Sequence, residues 1–216
     1  MNNLFKRIIT SLILLSILLI SLFSHKYFWI LLISIISVIS FIEFNFLIKK
    51  TYKKKNKYKI NFINLMALFY LLLFTYSAIE IGNQWQVALY TLSICIMSDI
   101  GGYIVGKTVK GKKLTKISPN KTISGSIGSF LFSMIPLFIL TMFFQNYDQL
   151  LIKKIIIITL ILSLISQLGD LFISYFKRKA KVKDSGKILP GHGGLLDRID
   201  GLLFVVPAVI LISKFI

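Results

Sequence analysis

Between Ser174 and Asp200, 27 residues near the C-terminus combine Lys177, Arg178, Lys183, Asp184, Pro190, Gly191, His192, Gly193, Gly194, Asp197, Arg198 and Asp200. Cations, glycine turns and paired carboxylates are the groups that handle phosphate and a divalent metal, and beside lipid such a cluster is costly unless it binds something. The chemistry expected is phosphoryl transfer at a bilayer surface. Asp197 and Asp200 are three apart, so they share a face if the last helix begins early enough to include both. Two oxygen ligands on one face suit Mg²⁺, which takes one or two carboxylates and completes its octahedron with water and substrate phosphate. Asp170, preceded by Gln167 and Gly169, is the third carboxylate expected to join them. The competing structural reading is that Arg198 and the two aspartates cap a helix and close a surface salt-bridge network.

The Pro190 to Gly194 run lets backbone approach an anion, because glycine tolerates the φ > 0 turns that aim successive N–H groups at phosphate oxygens. His192 has two readings, as a hydrogen-bond partner for phosphate or nucleotide and as a pin for the loop. Lys177, Arg178, Lys183 and Lys187 screen a polyphosphate, and Arg178 and Arg198 also offer bidentate forks. A second polar island, Ser118-Pro119-Asn120-Lys121-Thr122-Ile123-Ser124-Gly125, precedes an apolar run. Hydroxyls and N–H groups at a helix start bind anions, and Lys121 adds a full charge; ordinary N-capping is the alternative. Gly101-x4-Gly106-Lys107-Thr108 spells a phosphate-binding P-loop but begins inside an apolar run, so close helix packing is the preferred reading.

The elements that position these groups are membrane helices. The 216 residues are 56% apolar, with a mean hydropathy of +0.79. Seven runs, about 8–24, 27–48, 60–79, 85–105, 125–145, 155–176 and 201–216, approach the ~20 residues that cross a bilayer. An all-α, polytopic transmembrane bundle of about seven spans is expected, with a polar cavity at its cytoplasmic side. With the N-terminus in the cytoplasm, Lys6, Arg7 and the 49–59, 106–121 and 177–200 loops fall on one side and hold 22 of the 26 Lys and Arg. That is the positive-inside pattern, and it argues against nucleic acid as the reason for the net charge of +18. The first run is longer than a signal-peptide core and lacks a cleavage site, so a retained span is expected. Lys53-Lys54-Lys55 is expected to be a solvated, lipid-facing loop, and Cys95 a packed thiol. One integral membrane domain over 1–216 is expected, with scaffold spans in 1–80 and the working spans and loops in 85–216.

Of only eight acids, Glu43, Asp99 and Asp170 fall inside apolar runs. An ionisable group there is by default functional. Counting along the spans at 1.5 Å per residue puts all three roughly 8–9 Å below the cytoplasmic surface. With Asp197 and Asp200 entering from the adjoining loop, five carboxylates have the opportunity to meet in one water-accessible cavity. Asp99 is either a metal ligand or a partner that orients lysines and hydroxyls.

Taken together, Ser174 to Asp200 resembles the C-terminal hallmark of phosphatidate cytidylyltransferases, the CDP-diacylglycerol synthases. Asp99-x-Gly-Gly-Tyr103-x-x-Gly106-Lys107, Ser118-Pro119-x-Lys121-Thr122 and Gln167-x-Gly169-Asp170-Leu171 resemble that family's other blocks, in the same order, and Glu43-Phe44 fits as well. Two departures stand out: Ser124 where the family usually has an acid, and Gly201 where a serine usually follows the last aspartate. The chain is also short for the family. The resemblance implies transfer of CMP from CTP to phosphatidate, with Mg²⁺, a second cation such as K⁺, and a homodimer in the bacterial cytoplasmic membrane whose site faces the cytoplasm. It implies catalytic roles for Asp170, Lys177, Arg178, Asp197, Arg198 and Asp200, and a metal held by Asp170, Asp197 and Asp200. Asp99, Ser118, Lys121, Thr122, Ser174, Lys183, Asp184 and Pro190 to Gly194 would contact the substrates. Related CTP-dependent polyprenol or dolichol kinases and CDP-archaeol synthases share similar motifs, and an ion-transporting bundle is the reading outside enzymology; that last reading expects paired broken helices in two related halves, and no internal repeat is present.

Overall fold

The computed structural model describes residues 3–52, 56–115, 117–143, 149–189 and 193–213. They form α1 (Asn3–Phe23), α2 (Lys26–Tyr52), α3 (Lys57–Gly82), α4 (Trp85–Thr108), α5 (Ile123–Ser133), α6 (Ile135–Phe143), α7 (Gln149–Lys179) and α8 (Leu196–Ser213). Lipid offers no hydrogen bonds to backbone, so a spanning segment must satisfy its own N–H and C=O groups, and the apolar runs become helices. Five spans are long and apolar enough to cross a bilayer: α2, α3, α4, the α5–α6 pair and α7; Ile9–Phe23 of α1 is a shorter apolar helix. The protein is a polytopic membrane helical bundle. The helices overrun the apolar runs at several ends. At 1.5 Å per residue the 31 residues of α7 span about 46 Å, which carries its Lys177, Arg178 and Lys179 beyond ~30 Å of hydrocarbon.

Two-residue turns join α1 to α2 and α3 to α4, so these pairs run antiparallel with their short connections at one end. The long connections, 109–122 and 180–195, lie at the other end, which is the end that carries the charge.

Inside lipid, helices associate through close backbone approach and hydrogen bonds more than through hydrophobicity. The glycines of the P-loop-like spelling serve that packing. A side chain on Gly101 would lie 2.5 Å from Phe132 Cβ, and one on Gly128 would lie 2.7 Å from the Gly101 carbonyl, so α4 and α5 touch along their backbones. Ser98 and Ser163 (3.1 Å) and Tyr90 and Thr159 (2.6 Å) link α4 to α7. Ser37 and Thr75 (2.7 Å) and Asn45 and Asn64 (3.0 Å) link α2 to α3. Cys95 is a buried free thiol, as expected. Its neighbours Ile94, Leu162 and Val205 form a small core between α4, α7 and α8, beside a larger one built from α2, α3, α7 and α8.

Pro207 sits inside α8 and has no N–H, so the Leu203 carbonyl one turn earlier loses its helical donor. Tyr70 of α3 replaces it, donating its hydroxyl to Leu203 O at 3.1 Å. Tyr70→Phe is expected to cost about 1–3 kcal/mol by leaving that carbonyl unsatisfied. Thermal unfolding in detergent would check this, and an unchanged midpoint would remove the tyrosine from the account.

Candidate functional site

The second polar island folds back on itself before α5 begins. Leu114 donates to the Lys121 carbonyl (2.8 Å) and Ile123 to the Lys112 carbonyl (3.0 Å), closing residues 112–123 into a short antiparallel loop. Thr122 is the N-cap of α5 and accepts the Gly125 N–H at 3.0 Å. Lys121 is thereby aimed inward, where it forms an ion pair with Asp170 of α7. Ser174, one turn later on α7, donates to Asp170 Oδ1 at 3.2 Å. A cavity of about 330 Å³ opens beside this pair, lined by Asp99, Ser118, Lys121, Thr122, Ser126, Gln167 and Asp170, among others. Ser126 donates to Gln167 Oε1 at 2.5 Å, while Gln167 Nε2 is buried without a partner among the described residues.

Asp200 approaches from α8. The helix starts at Leu196, early enough to include both Asp197 and Asp200. The Asp170 and Asp200 carboxyls are within hydrogen-bonding reach of each other, and Asp99 is near enough to both to feel their charge. Two carboxyls in contact need a proton or a cation between them, because like charges at that distance repel strongly. A divalent ion fits this demand and would be held by Asp170 and Asp200. Among the described residues no three His, Cys, Asp or Glu side chains converge on a single point, so water and phosphate would complete the shell.

The other two acids form a separate knot. Glu43 of α2 is buried and accepts Ser185 Oγ (3.0 Å) and the N–H groups of Leu195 (3.1 Å) and Leu196 (2.8 Å). A carboxylate from a distant helix thus caps the start of α8, where the helix dipole favours negative charge. Asp197 accepts Lys177 Nζ on Oδ1 (2.7 Å) and the N–H groups of Ser185 (2.8 Å) and Gly194 (3.1 Å) on Oδ2. Ser185 therefore bridges Glu43 and Asp197. Gly194 is required there, since a side chain on it would lie 2.5 Å from Glu43 Oε2 and 2.7 Å from Gly186 N. Exposure separates the two groups: the Asp197 side chain is 5% exposed and that of Asp170 27%. Lys177 links them, because its charge also acts on Asp170 and Asp200.

The five carboxylates accordingly divide. Asp99 and Asp170 line the cavity and Asp200 reaches Asp170 from α8, while Glu43 and Asp197 hold the 185–194 loop. Asp197, expected as a metal ligand, has both oxygens engaged by the chain. Ser118 lines the cavity and its N–H is held by Thr115 Oγ1 at 3.2 Å. Arg178 is exposed on the last turn of α7, and Arg198, also exposed, acts on Asp99. Lys183 and Asp184 line a different cavity. Gly193 has φ +86° and exchanges two backbone hydrogen bonds with Leu189 (2.9 and 3.2 Å). Pro190, Gly191 and His192, like Lys53 to Lys55, lie outside the described residues. Ser185 had no signal in the sequence, because its hydroxyl acquires meaning only opposite Glu43. The departures have local reasons. Ser124 bonds the Lys110 carbonyl and Thr122 Oγ1, and the space a Gly201 side chain would need is filled by Ser166 Oγ.

A membrane bundle with Lys121, Asp99 and Asp170 lining a cavity at its charged end defines the class: an integral membrane protein with a charged pocket at one end of its spans. The cytidylyltransferase family model matches residues 45–216, and the chain belongs to that family. Among curated relatives, the chain is 41% identical over 182 residues to the phosphatidate cytidylyltransferase of Bacillus subtilis, a match covering 81% of this chain and 65% of the relative. It is 42% identical over 148 residues to that of Rickettsia felis, covering 65% and 64%, and 48% identical over 120 residues to that of Staphylococcus haemolyticus, covering 55% and 45%. The chain thus spans less than two thirds of the length of these relatives.

Proposed function

We propose that the protein is a phosphatidate cytidylyltransferase of the bacterial cytoplasmic membrane, working from the cytoplasmic face as a homodimer. The observation that carries this reading is the Asp99, Asp170 and Asp200 group, clamped by Lys121 and overlooked by Lys177, at the charged end of the spans. The names of the relatives supply CTP and phosphatidate as the substrates. The sidedness of the lysines supports a cytoplasmic site.

In the proposed reaction an oxygen of the phosphatidate phosphate attacks the α-phosphorus of CTP. The new P–O bond forms CDP-diacylglycerol, the bond to the bridging oxygen breaks, and pyrophosphate leaves with the electron pair. A phosphate monoester has a second pKa of about 6, so the nucleophile is largely ionised near neutrality and needs little general base. This suits a site of carboxylates and cations without a His–Asp or Ser–His pair. Mg²⁺ bound by Asp170 and Asp200, with a second cation such as K⁺ beside it, would neutralise charge on the transferring and leaving phosphates. Lys121 exchanges Asp170 for a CTP phosphate, and Lys177, held on Asp197, faces the same charge. Asp197 keeps Lys177 and the 185–194 loop in place. Gln167 Nε2, without a partner among the described residues, offers a donor to the nucleotide. An apolar cavity of about 270 Å³ among α2, α3, α7 and α8, lined by Phe44, Met66, Phe172 and Phe204, suits an acyl chain.

Purified protein in detergent micelles with phosphatidate, labelled CTP and Mg²⁺ tests the reading, with Asp170→Asn as control. CDP-diacylglycerol from the unmodified protein alone is the expected result. No product across several lipid phosphates, from protein shown to be folded, would move the acceptor to prenols or the function to transport.

A further inference from the structure

A second cavity, of about 650 Å³, lies behind the Glu43–Ser185 knot and shares no lining residue with the Asp99–Asp170 cavity. One wall is α2, where Ile42, Phe46 and Lys50 follow one another at single-turn spacing; the other is the 182–188 loop, with Lys183, Lys187 and Ile188. From Ile42 to Lys50 the wall rises about 12 Å, from exposed hydrocarbon to cation. Lys50 Nζ sits over the Phe46 ring, 5.1 Å from its centre. None of Lys50, Lys183 and Lys187 is in an ion pair among the described residues. Of the two acids present, Glu43 already accepts three donors, which leaves Asp184 as the one exposed counter-charge. Ile42, Phe46 and Ile188 are 59%, 45% and 52% exposed.

These features select the occupant. A soluble anion would meet the lysines and leave the apolar wall without a partner. An apolar chain would fill the wall and leave three cations without one. An amphiphile with a phosphate at the level of Lys50 and hydrocarbon beneath it satisfies both, and the lysine-rich end of the bundle is the end where such headgroups lie. We propose that this groove is a binding site for an anionic phospholipid of the surrounding leaflet, distinct from the substrate cavity. The headgroup phosphate is held by Lys50, Lys183 and Lys187, and one acyl chain runs down α2 over Phe46 and Ile42. The site does not depend on the cytidylyl-transfer reading, because its occupancy is measured without turnover.

The test uses the full chain in nanodiscs with Phe46→Trp as a probe in the wall. Quenching by phosphatidylglycerol with brominated chains is compared with quenching by brominated phosphatidylcholine, after subtracting the signal of Trp29 and Trp85 measured in the parent protein. A preference for phosphatidylglycerol of about tenfold is expected from lysines near the surface. Adding Lys50→Gln and Lys187→Gln is expected to reduce that preference to about twofold or less. Native mass spectrometry of the parent and the Lys50→Gln/Lys187→Gln variant, without the tryptophan probe, gives a second reading: retained anionic lipid in the first and its loss in the second. Equal quenching by the two lipids would overturn the proposal, as would a preference that survives the double substitution. Millimolar inorganic phosphate should leave the preference intact; if it abolishes it, the groove is a free-phosphate site and the lipid assignment falls.

Discussion

Asp170→Asn is expected to lower the proposed cytidylyl transfer about a thousandfold while leaving the protein folded. Asp170 is the point where the groups of the cavity meet: it pairs with Lys121, accepts Ser174 Oγ at 3.2 Å and touches the Asp200 carboxyl. Asparagine keeps the shape and one acceptor oxygen but removes the charge that would hold a divalent cation and register Lys121. A metal contributes several kcal/mol to stabilising a phosphoryl transition state, and each ~1.4 kcal/mol is a factor of ten in rate. The fold should tolerate the change, because the Lys121–Asp170 pair is partly open to solvent and such pairs contribute only about 0–1 kcal/mol. Initial rates across a Mg²⁺ titration, alongside thermal unfolding, separate the two effects. A variant that retains more than about a tenth of the parent rate would take Asp170 out of the reaction. A rate that recovers fully at high Mg²⁺ would reduce its role to affinity.

Glu43→Ala should act in the opposite way, through stability first. Three buried donors, Ser185 Oγ and the N–H groups of Leu195 and Leu196, lose their acceptor together. Each unsatisfied buried donor costs about 1–3 kcal/mol, so the change removes several kcal/mol from the knot. Asp197 loses the restraint that Ser185 provides, and with it the fixed position of Lys177. The expected outcome is a markedly lower unfolding midpoint in detergent and rapid tryptic cleavage at Lys181, Lys183 or Lys187, with activity lost as a consequence. Glu43→Gln, which retains one acceptor oxygen, should fall between the two. If Glu43→Ala melted and resisted trypsin like the parent, the knot would not be what holds this loop.

The spans were legible because each one solves its hydrogen-bonding problem locally. About 20 apolar residues in a row predict a helix with little regard to what surrounds it. The same locality explains why Asp99 and Asp170 were recognised at matched depth: depth is a count along a helix axis. The glycine spelling in α4 was likewise readable as packing, since it lay within a span. Ser185 was invisible, because the partner that gives its hydroxyl a role is 142 residues earlier. The Tyr70–Leu203 bond is of the same kind, joining residues 133 apart.

What the sequence determined by itself is therefore axial and compositional: a helical membrane bundle, one end rich in lysine, three acids inside its apolar runs, and a motif-bearing loop that points to a cytidylyltransferase. What the tertiary structure alone decided is which acids face one another. Adjacent residues on a helix differ by about 100° in direction, so position along the axis says nothing about azimuth until the helices pack. Packing of α7 against α4 and α8 turned Asp170 toward Asp99 and Asp200, leaving a carboxylate group at an open cavity. The place of α2 beside the start of α8 turned Glu43 toward Ser185 and two unpaired N–H groups, and a residue with the same sequence credentials as the others became the cap that holds the loop.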